Sequence, residues 1–217
     1  PGIPGIQDFE GHMFHTSRWD YGYTGGDQTG NLTGLKDKRV GIIGTGSTGI
    51  QAIPMLGQYA RQLYVFQRTP STIDPRGNRP TDPEWAKTLE PGWHRARMDN
   101  FNSVTLEGYK GEDLVDDGWC HIVRETAPPA IGETGDIDME ELVHAQFARM
   151  EKTRQWIASV VEDAETAEAL KPYYNYFCKR PCFHDDYLPT FNRPNVTLVD
   201  TMGQGVERIS RKGVVVD

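Results

Sequence analysis

A short glycine-rich turn holds the residues of this chain that are best suited to bind a ligand. Gly44-Thr45-Gly46-Ser47-Thr48-Gly49 follows an apolar run and precedes a helical pattern. Small residues at such a turn let the backbone approach a pyrophosphate, and the helix N-terminus offers unpaired N–H groups and a positive dipole. The spacing therefore predicts a dinucleotide site, to which we add Gln51 in the following helix. An ordinary strand-to-helix turn is the alternative, because glycine is common.

A basic residue follows the next apolar run, at the point where the ribose of a bound dinucleotide would lie. NAD-specific folds place a carboxylate there to accept hydrogen bonds from the ribose 2′-hydroxyl. This chain has Arg68 instead, followed by Thr69. A guanidinium can bind a 2′-phosphate through charge-assisted hydrogen bonds, so the sequence favours NADPH over NADH. A solvated surface arginine is the alternative interpretation.

The pattern around these residues is that of an α/β unit interrupted by a long insertion. Apolar runs at 40–43, 63–66, 196–199 and 213–216 predict strands, and 47–59 predicts a helix in which Pro54 imposes a kink or a later start. We therefore expect a connector over 1–35, the first part of a Rossmann-like domain over 36–72, a helical insertion over 73–170, and the second part of the domain over 171–217.

Helix signals recur inside the predicted insertion. Asp82 precedes a proline at the first helical position, and Asp138 with Glu141 resembles a capping box. Apolar residues at helical spacing then predict a buried stripe that belongs to the core: Met139, Leu142, Val143, Phe147 and Met150.

Composition excludes several classes of partner. With 23 basic and 31 acidic residues, the net charge of -8 gives no general attraction to nucleic acid or an anionic membrane. No apolar run approaches the roughly 20 residues that cross a bilayer, and no leader opens the chain, so we expect a cytoplasmic protein. Cys120, Cys178 and Cys182 suit reduced thiols, and their spacing predicts no metal site.

A longer motif lies ahead of the glycine turn, in residues 9–20. The fixed positions of the pattern F-x-G-x-x-x-H-x-x-x-W-[P/D] are occupied by Phe9, Gly11, His15, Trp19 and Asp20. In this motif the chain resembles the type I Baeyer-Villiger monooxygenases, which are class B flavoprotein monooxygenases. A motif of this length is more specific than a glycine turn. Ordinary packing of His15 and Trp19 in a connector is the alternative.

A second resemblance to that family follows the predicted insertion. It runs from Cys178-Lys179-Arg180-Pro181 through Tyr187 to the stretch 191–201. The resemblance implies that Lys179 is a second ligand of the 2′-phosphate and that Arg180 is the active-site arginine beside flavin and nicotinamide. In an extended segment the two neighbouring side chains point in different directions, which allows these separate roles. A surface Lys-Arg pair is the alternative.

The resemblance also implies an activity. In that family NADPH reduces bound FAD, and the reduced flavin activates molecular oxygen for insertion beside a ketone carbonyl, giving an ester or lactone. The chain would be the NADP-binding domain of a flavoprotein with two dinucleotide-binding domains. FAD-binding segments would lie elsewhere in the same longer polypeptide, and the segment alone would be inactive. We further hypothesise that His15 and Trp19 couple cofactor binding to domain movement.

Three other functions compete with this one. An N- or S-oxygenating flavin monooxygenase has a similar glycine turn, but its fingerprint has Tyr or Phe where this chain has Trp19. A non-catalytic NADPH-binding module leaves Lys179-Arg180 unexplained, and an ordinary NADPH dehydrogenase leaves the fingerprint unexplained. Within the suspected family, the tryptophans of the insertion (Trp85, Trp93 and Trp119) resemble those of larger fungal members that act on bulky or polycyclic ketones.

Overall fold

A computed structural model describes residues 2–107, 111–126 and 138–217. The strands are β1 (Arg39–Ile43), β2 (Gln62–Gln67), β3 (Ile73–Asp74), β4 (Cys182–Phe183), β5 (Val196–Asp200), β6 (Arg208–Ser210) and β7 (Gly213–Val215). The helices are α1 (Tyr21–Thr24), α2 (Ser47–Tyr59), α3 (Pro83–Lys87), α4 (Trp93–Leu106), α5 (Gly118–Thr126), α6 (Met139–Val160), α7 (Ala164–Leu170) and α8 (Tyr187–Thr190).

A parallel sheet in the order β1-β2-β5 forms the centre of the fold. Leu63 and Val65 of β2 are fully buried, because this strand has neighbours on both edges and packs on both faces. Helix α2 connects β1 to β2 and buries Ile50 and Ile53 against the sheet. The α/β architecture predicted from the sequence is therefore confirmed.

Helix α2 begins at Ser47, so the later start that Pro54 allowed does not occur. Proline has no N–H to donate to the carbonyl four residues earlier, and one helical hydrogen bond is lost there. Near the other end of the helix, a Cβ on Gly57 would lie 2.8 Å from the methyl of Thr190 and 3.1 Å from Val196. Gly57 therefore lets α2 approach α8 and β5 closely.

A short parallel pair of strands joins the start of the predicted insertion to the segment that follows it. Strand β3 pairs with β4, and the N–H groups of Cys182 and His184 donate to the carbonyls of Thr72 and Asp74, at 2.9 and 3.0 Å. This pairing places the segment that follows the insertion beside the segment that follows β2.

The helix caps predicted inside the insertion are confirmed. The carboxylate of Asp82 accepts the N–H of Glu84 at the start of α3, and Asp138 accepts from Glu140 and Glu141 at the start of α6. No helix in the described parts of the chain is both long and apolar enough to cross a membrane.

The apolar stripe predicted on α6 is wrong in its N-terminal half. Met139 is 62% exposed and Phe147 57% exposed, while Leu142 lines a cavity. The buried side chains of α6 lie in its C-terminal half, where Met150 packs with Ile122 and Tyr176, Thr153 bonds Asp74 and Ile157 packs on the sheet. Helical spacing identifies one face of a helix, but it does not show where along the helix a packing partner ends.

The main core joins the sheet to the end of the predicted insertion. Ile157, Val161 and Leu170 pack in one cluster with Ile42 and Val65. A smaller cluster around Ile122, Met150 and Tyr176 lies beneath the helical region. The division of the chain into four segments stays a prediction.

The last predicted strand pairs with a strand that the sequence pattern did not indicate. Strand β7 forms an antiparallel hairpin with β6 and does not join the parallel sheet. This hairpin contacts the N-terminal connector, because the N–H of Ile209 donates to the carbonyl of Pro4 at 2.8 Å. Gly5 has φ 73°, and a Cβ there would meet the Ile209 carbonyl oxygen at 2.1 Å. Glycine is therefore required at position 5.

Candidate dinucleotide site

The glycine turn presents bare backbone at the carboxyl end of β1. Gly44 has φ 103° in the left-handed region, and its N–H donates to the carbonyl of Phe66 at 3.0 Å. A Cβ on Gly49 would lie 2.3 Å from the carbonyl oxygen of Gly44, so the turn cannot close with a larger residue at position 49. A Cβ on Gly44 or Gly46, in contrast, would meet no described atom within 4 Å. The turn is therefore tight on its inner side and open to a ligand on its outer side.

Hydrogen bonds connect this turn to the segment that follows β2. The buried hydroxyl of Thr45 donates to the carbonyl of Thr69 at 3.3 Å, and the hydroxyl of Ser71 donates to the carbonyl of Thr45. Arg68 immediately precedes that segment, and its side-chain stem packs on Gly205, where a Cβ would lie 3.4 Å from Cδ. The glycine turn and Arg68 consequently share one edge of the sheet.

The structure places Lys179 beside Tyr174, near the segment that follows Arg68. Partial burial lowers the pKa of Lys179, and the positive charge of Arg68 lowers this pKa further. The Lys179 ammonium lies 5.2 Å from the ring centroid of Tyr174, whose hydroxyl donates to the carbonyl of Pro70 at 3.0 Å. Two cations held together repel each other, and an anion between them would relieve that repulsion. The pair is therefore suited to bind a phosphate.

Arg180 faces different surroundings from its neighbour Lys179. It lines a cavity of about 1000 Å³, together with Ser47 and Gln51 at the start of α2. Aromatic and aliphatic side chains of the helical region and of β4 form much of the remaining wall: Phe101, Leu106, Trp119, Phe177 and Phe183. The Arg180 guanidinium carbon lies 5.9 Å from the centroid of the Trp119 ring. A cation thus borders a cavity that begins beside the glycine turn and has both an aromatic wall and polar residues such as Arg76 and Asp185.

Two fingerprint residues, Trp19 and Asp20, are held at the start of α1, and Trp19 reaches α2. The indole N–H of Trp19 donates to the hydroxyl of Thr24 at 3.1 Å, a bond that Tyr or Phe could not form in the same way. Asp20 caps α1 by accepting the N–H of Tyr23 at 3.1 Å. Trp19 also lines a smaller cavity of about 220 Å³ with Thr48 and Gln51. The helix that follows the glycine turn therefore borders both cavities.

The other fingerprint residues make local contacts within the connector. The exposed His15 side chain accepts the N–H of Ser17 at 3.2 Å and caps a short 3-10 turn. A Cβ on Gly11 would lie 2.4 Å from the ring of Phe9, so this glycine makes room for the phenyl group. These contacts explain the residue types locally, and the coupling role of His15 and Trp19 stays a prediction.

The sequence reasoning missed a carboxylate that shapes the rim of the large cavity. Asp185 accepts the backbone N–H groups of Arg76, Gly77 and Asn78, at 2.8, 2.9 and 2.9 Å. These bonds lower the pKa of Asp185, with the bond from Asn78 contributing most. The partners lie more than 100 positions away along the chain, so no local pattern could have indicated them.

The sequence reasoning also missed a buried polar cluster around Asp74. Asp74 accepts hydrogen bonds from Thr153 at 2.9 Å and Tyr176 at 2.8 Å, and it pairs with Arg149 at 2.9 Å. Burial raises the pKa of Tyr176, and the negative charge of Asp74 raises it further, so the phenol stays protonated and donates. The cluster connects β3 to α6 and to the segment that precedes Lys179.

Taken together, parallel strands joined by a glycine turn and a helix, with Arg68 at the same sheet edge, define a Rossmann-type dinucleotide-binding domain. No family model matches the sequence. The chain is 58% identical over 221 residues to Baeyer-Villiger monooxygenase ATR8 of Stachybotrys chlorohalonatus, covering 99% of this chain and 35% of that protein. It is also 58% identical over 220 residues to pentalenolactone D synthase of Streptomyces arenae, covering 99% of this chain and 37% of that one. Over almost its whole length the chain matches one segment of Baeyer-Villiger monooxygenases, and it spans about a third of the length of these relatives.

Solved structures agree with this assignment. The polycyclic ketone monooxygenase from the fungus Thermothelomyces thermophila matches with a TM-score of 0.87 and 42% identity, over 100% of this chain and 36% of that one. The OTEMO complex with FAD and NADP matches with a TM-score of 0.71 and 30% identity, over 100% of this chain and 42% of that one. The predicted Rossmann-like NADP-binding fold is therefore confirmed.

Proposed function

We propose that this chain is the NADPH-binding portion of an FAD-dependent Baeyer-Villiger monooxygenase, which inserts one oxygen atom beside a ketone carbonyl to give an ester or lactone. One set of observations supports the proposal: Arg68 follows β2 at the sheet edge that holds the open glycine turn, Lys179 interacts electrostatically with Arg68, and Arg180 borders the adjoining cavity. Arg68 and Lys179 would then bind the cofactor phosphate, and Arg180 would act separately at the reaction centre. We place the protein in the cytoplasm, where its three free thiols would stay reduced.

The described residues fit an NADP molecule. The open backbone of Gly44, Thr45, Gly46, Ser47, Thr48 and Gly49 would hold the pyrophosphate at the start of α2. Arg68, Thr69 and Lys179 would hold the 2′-phosphate, and Gln51 lies one helical turn along, with its amide donating to the Ser47 carbonyl at 2.9 Å. FAD would be bound by other segments of the longer polypeptide. A relative solved with FAD and NADP supports the use of both cofactors.

Arg180 would act on the negative charge that develops during oxygen transfer. Bound flavin supplies the electrons and the site at which molecular oxygen is activated. Attack on a ketone turns its carbonyl oxygen into an oxyanion, and a nearby guanidinium stabilises that charge strongly in a site that excludes water. Arginine suits this role because it stays protonated at any working pH. The apolar wall of the cavity would keep water away from the reacting carbon.

A bulky ketone is the substrate class that we favour. The cavity has many large apolar side chains and a volume at the upper end of the range for small-molecule sites. Of the two solved relatives named above, the one with the higher TM-score is named for polycyclic ketones. Molecular oxygen would be the second substrate.

The test uses the full-length protein that contains this segment. We expect purified protein to show flavin absorbance, to consume NADPH faster when a ketone is present, and to yield a product heavier by one oxygen atom. A panel of cyclic, steroidal and aryl ketones would define the substrate. Absent flavin or ketone-independent NADPH use would instead favour a binding-only module, and oxygenation of amines or sulfides without ketone products would favour an N- or S-oxygenating enzyme.

Replacing Arg68 by alanine is expected to weaken NADP binding by roughly 10- to 150-fold, the loss of one charge-assisted interaction. Affinity for NAD should hardly change, because NAD has no 2′-phosphate. Calorimetric titration of the full-length variant with NADP and with NAD measures the ratio of the two dissociation constants. Arg39→Ala is the matched control, because Arg39 is the first residue of β1 and the glycine turn follows the other end of that strand. Equal losses for NADP and NAD would contradict the assignment of Arg68.

NADP affinity is also expected to fall as the pH rises through the lowered pKa of Lys179, below its ordinary value of 10.5. The 2′-phosphate stabilises the protonated amine, so binding above that lowered pKa must take up a proton and becomes weaker. Lys179→Arg should abolish this alkaline decline, because arginine stays charged. Lys179→Met should bind weakly at every pH. Titrations in a pH series measure all three proteins, and a decline that persists in Lys179→Arg would exclude Lys179 as its source.

A further inference from the structure

Trp119 is the aromatic residue that lies against Arg180. The guanidinium carbon is 5.9 Å from the centroid of the indole ring, and both side chains line the large cavity. Within the described parts of the chain, Arg180 makes no ion pair and no side-chain hydrogen bond. Its side chain is long and otherwise free to rotate, so the indole is the contact that can define where the charge lies.

The position of Trp119 is itself well determined. Asp117 precedes α5 and accepts the N–H of Cys120 at 3.0 Å, which fixes the first turn of the helix. The Trp119 ring meets the ring of Phe183 edge to face, with centroids 5.6 Å apart. A Cβ on Gly118 would lie 2.3 Å from the Phe183 ring, so the glycine allows this close contact.

Helix α5 provides a firm base for that ring. Cys120 and Ile122 are fully buried, and Ile122 packs with Met150 and Tyr176. The indole is thus attached to the packed helical region, whereas Arg180 belongs to the segment that follows the insertion. The contact crosses between two parts of the chain that are distant in sequence.

We propose that Trp119 is the positioning residue of Arg180: its indole face holds the guanidinium at the cavity wall, so the helical insertion sets the place of the charge that acts on the substrate. A cation over an aromatic face is attracted by the negative charge of the π system. This inference rests on the proposed function for the role of Arg180, but the contact itself can be tested without catalysis.

The first test measures how freely Arg180 reacts with an arginine reagent. Full-length holoenzyme is treated with p-hydroxyphenylglyoxal, and modification of Arg180 is followed over time by peptide mass spectrometry. Trp119→Leu keeps apolar bulk but removes the aromatic face, and it is expected to raise the modification rate about two- to fivefold, the equilibrium weight of an exposed cation–π contact. Trp119→Phe, which keeps an aromatic face, should restore a rate near that of the parent protein.

The matched control uses a second tryptophan with the same kind of contact. Arg97 lies 5.3 Å from the ring centroid of Trp85, which does not line the large cavity. Trp85→Leu should leave the modification rate of Arg180 unchanged. An unchanged Arg180 rate in Trp119→Leu, with a melting temperature like that of the parent, would overturn the proposal. A rate that rises equally in Trp85→Leu would also overturn it, because general loosening would then be the cause.

The second test asks whether Trp119 acts through Arg180. We expect Trp119→Leu to lower kcat for ester formation about two- to fivefold with little change in the dissociation constant of NADP. The double variant Trp119→Leu/Arg180→Ala should be no slower than Arg180→Ala alone, because residues that act through one another are not additive. Additive losses would exclude the positioning role. If the protein shows no ketone oxidation at all, the proposed function fails. The modification rates still show whether Trp119 holds Arg180 in place.

Discussion

Arg180→Ala is expected to lower the rate of ester formation by about 10²- to 10³-fold, the loss seen when one group that stabilises an oxyanion is removed. The guanidinium borders the cavity beside Ser47 and Gln51, at the start of the helix that follows the glycine turn. NADPH affinity should change little, because the 2′-phosphate is assigned to Arg68 and Lys179. Single-turnover measurements with a ketone separate product formation from NADPH oxidation.

Arg180→Lys is the informative companion to the alanine variant. Lysine keeps the positive charge but has a different shape and cannot present a planar fork of donors. We expect it to recover only part of the lost rate. Arg76 also lines the cavity, and Arg76→Ala serves as a control for a general loss of positive charge. Equal losses in Arg76→Ala and Arg180→Ala would contradict a specific role for Arg180.

Asp74→Asn is expected to destabilise the region around β3 and α6 by about 3–5 kcal/mol, the range for breaking a buried ion pair from one side. Asp74 is 3% exposed, and the side chain of Arg149 is 16% exposed, so water cannot replace the lost partner. Neutral Asn leaves the Arg149 charge with only its longer contact to the partly exposed Glu125, at 3.7 Å. Amide hydrogen exchange in β3 and α6 of the full-length protein measures the free energy of local opening.

Two further variants separate charge from packing in this cluster. Asp74→Leu combined with Arg149→Met removes both charges, and we expect it to be more stable than Asp74→Asn, because no unpaired ion remains. Asp99→Asn removes the partner of Arg95 in an exposed pair, with side chains 55% and 78% exposed, and should cost less than about 1 kcal/mol. Similar effects for Asp74→Asn and Asp99→Asn would show that the buried cluster is not a special source of stability.

Loss of the Asp74 carboxylate should also disturb the positions of Lys179 and Arg180 at the candidate dinucleotide site. Tyr176 donates to Asp74 and lies three residues before Lys179 in the chain. The segment that carries Lys179 and Arg180 is therefore anchored by the buried cluster and by the pairing of β4 with β3. Local opening at β3 would release both cations from their positions.

Local patterns in the sequence predicted the elements that depend on neighbours along the chain. The glycine turn, the strands around it and the caps at Asp82 and Asp138 all involve residues within a few positions of one another. Backbone geometry and hydrogen bonding at that range follow from residue type, so spacing alone is informative. The family resemblance had the same origin, since its motifs are also short and contiguous.

Other features depended on contacts between distant parts of the chain. The exposure of Met139 and Phe147 was not predicted, because the apolar stripe of α6 extends beyond the surface that α6 packs against. The carboxylates of Asp74 and Asp185 find partners 75 to 109 positions away, and neither position has a local signature.

Residue types and their spacing predicted a glycine turn suited to a pyrophosphate, a basic residue in place of a ribose-binding carboxylate, and a Lys-Arg pair after a long insertion. Folding is what places Lys179 over the ring of Tyr174 and Arg180 against Trp119. Neighbouring residues of an extended segment point in different directions, and this much follows from the sequence alone. What each one meets depends on the pairing of β3 with β4 and the packing of α5, and both of these are long-range contacts.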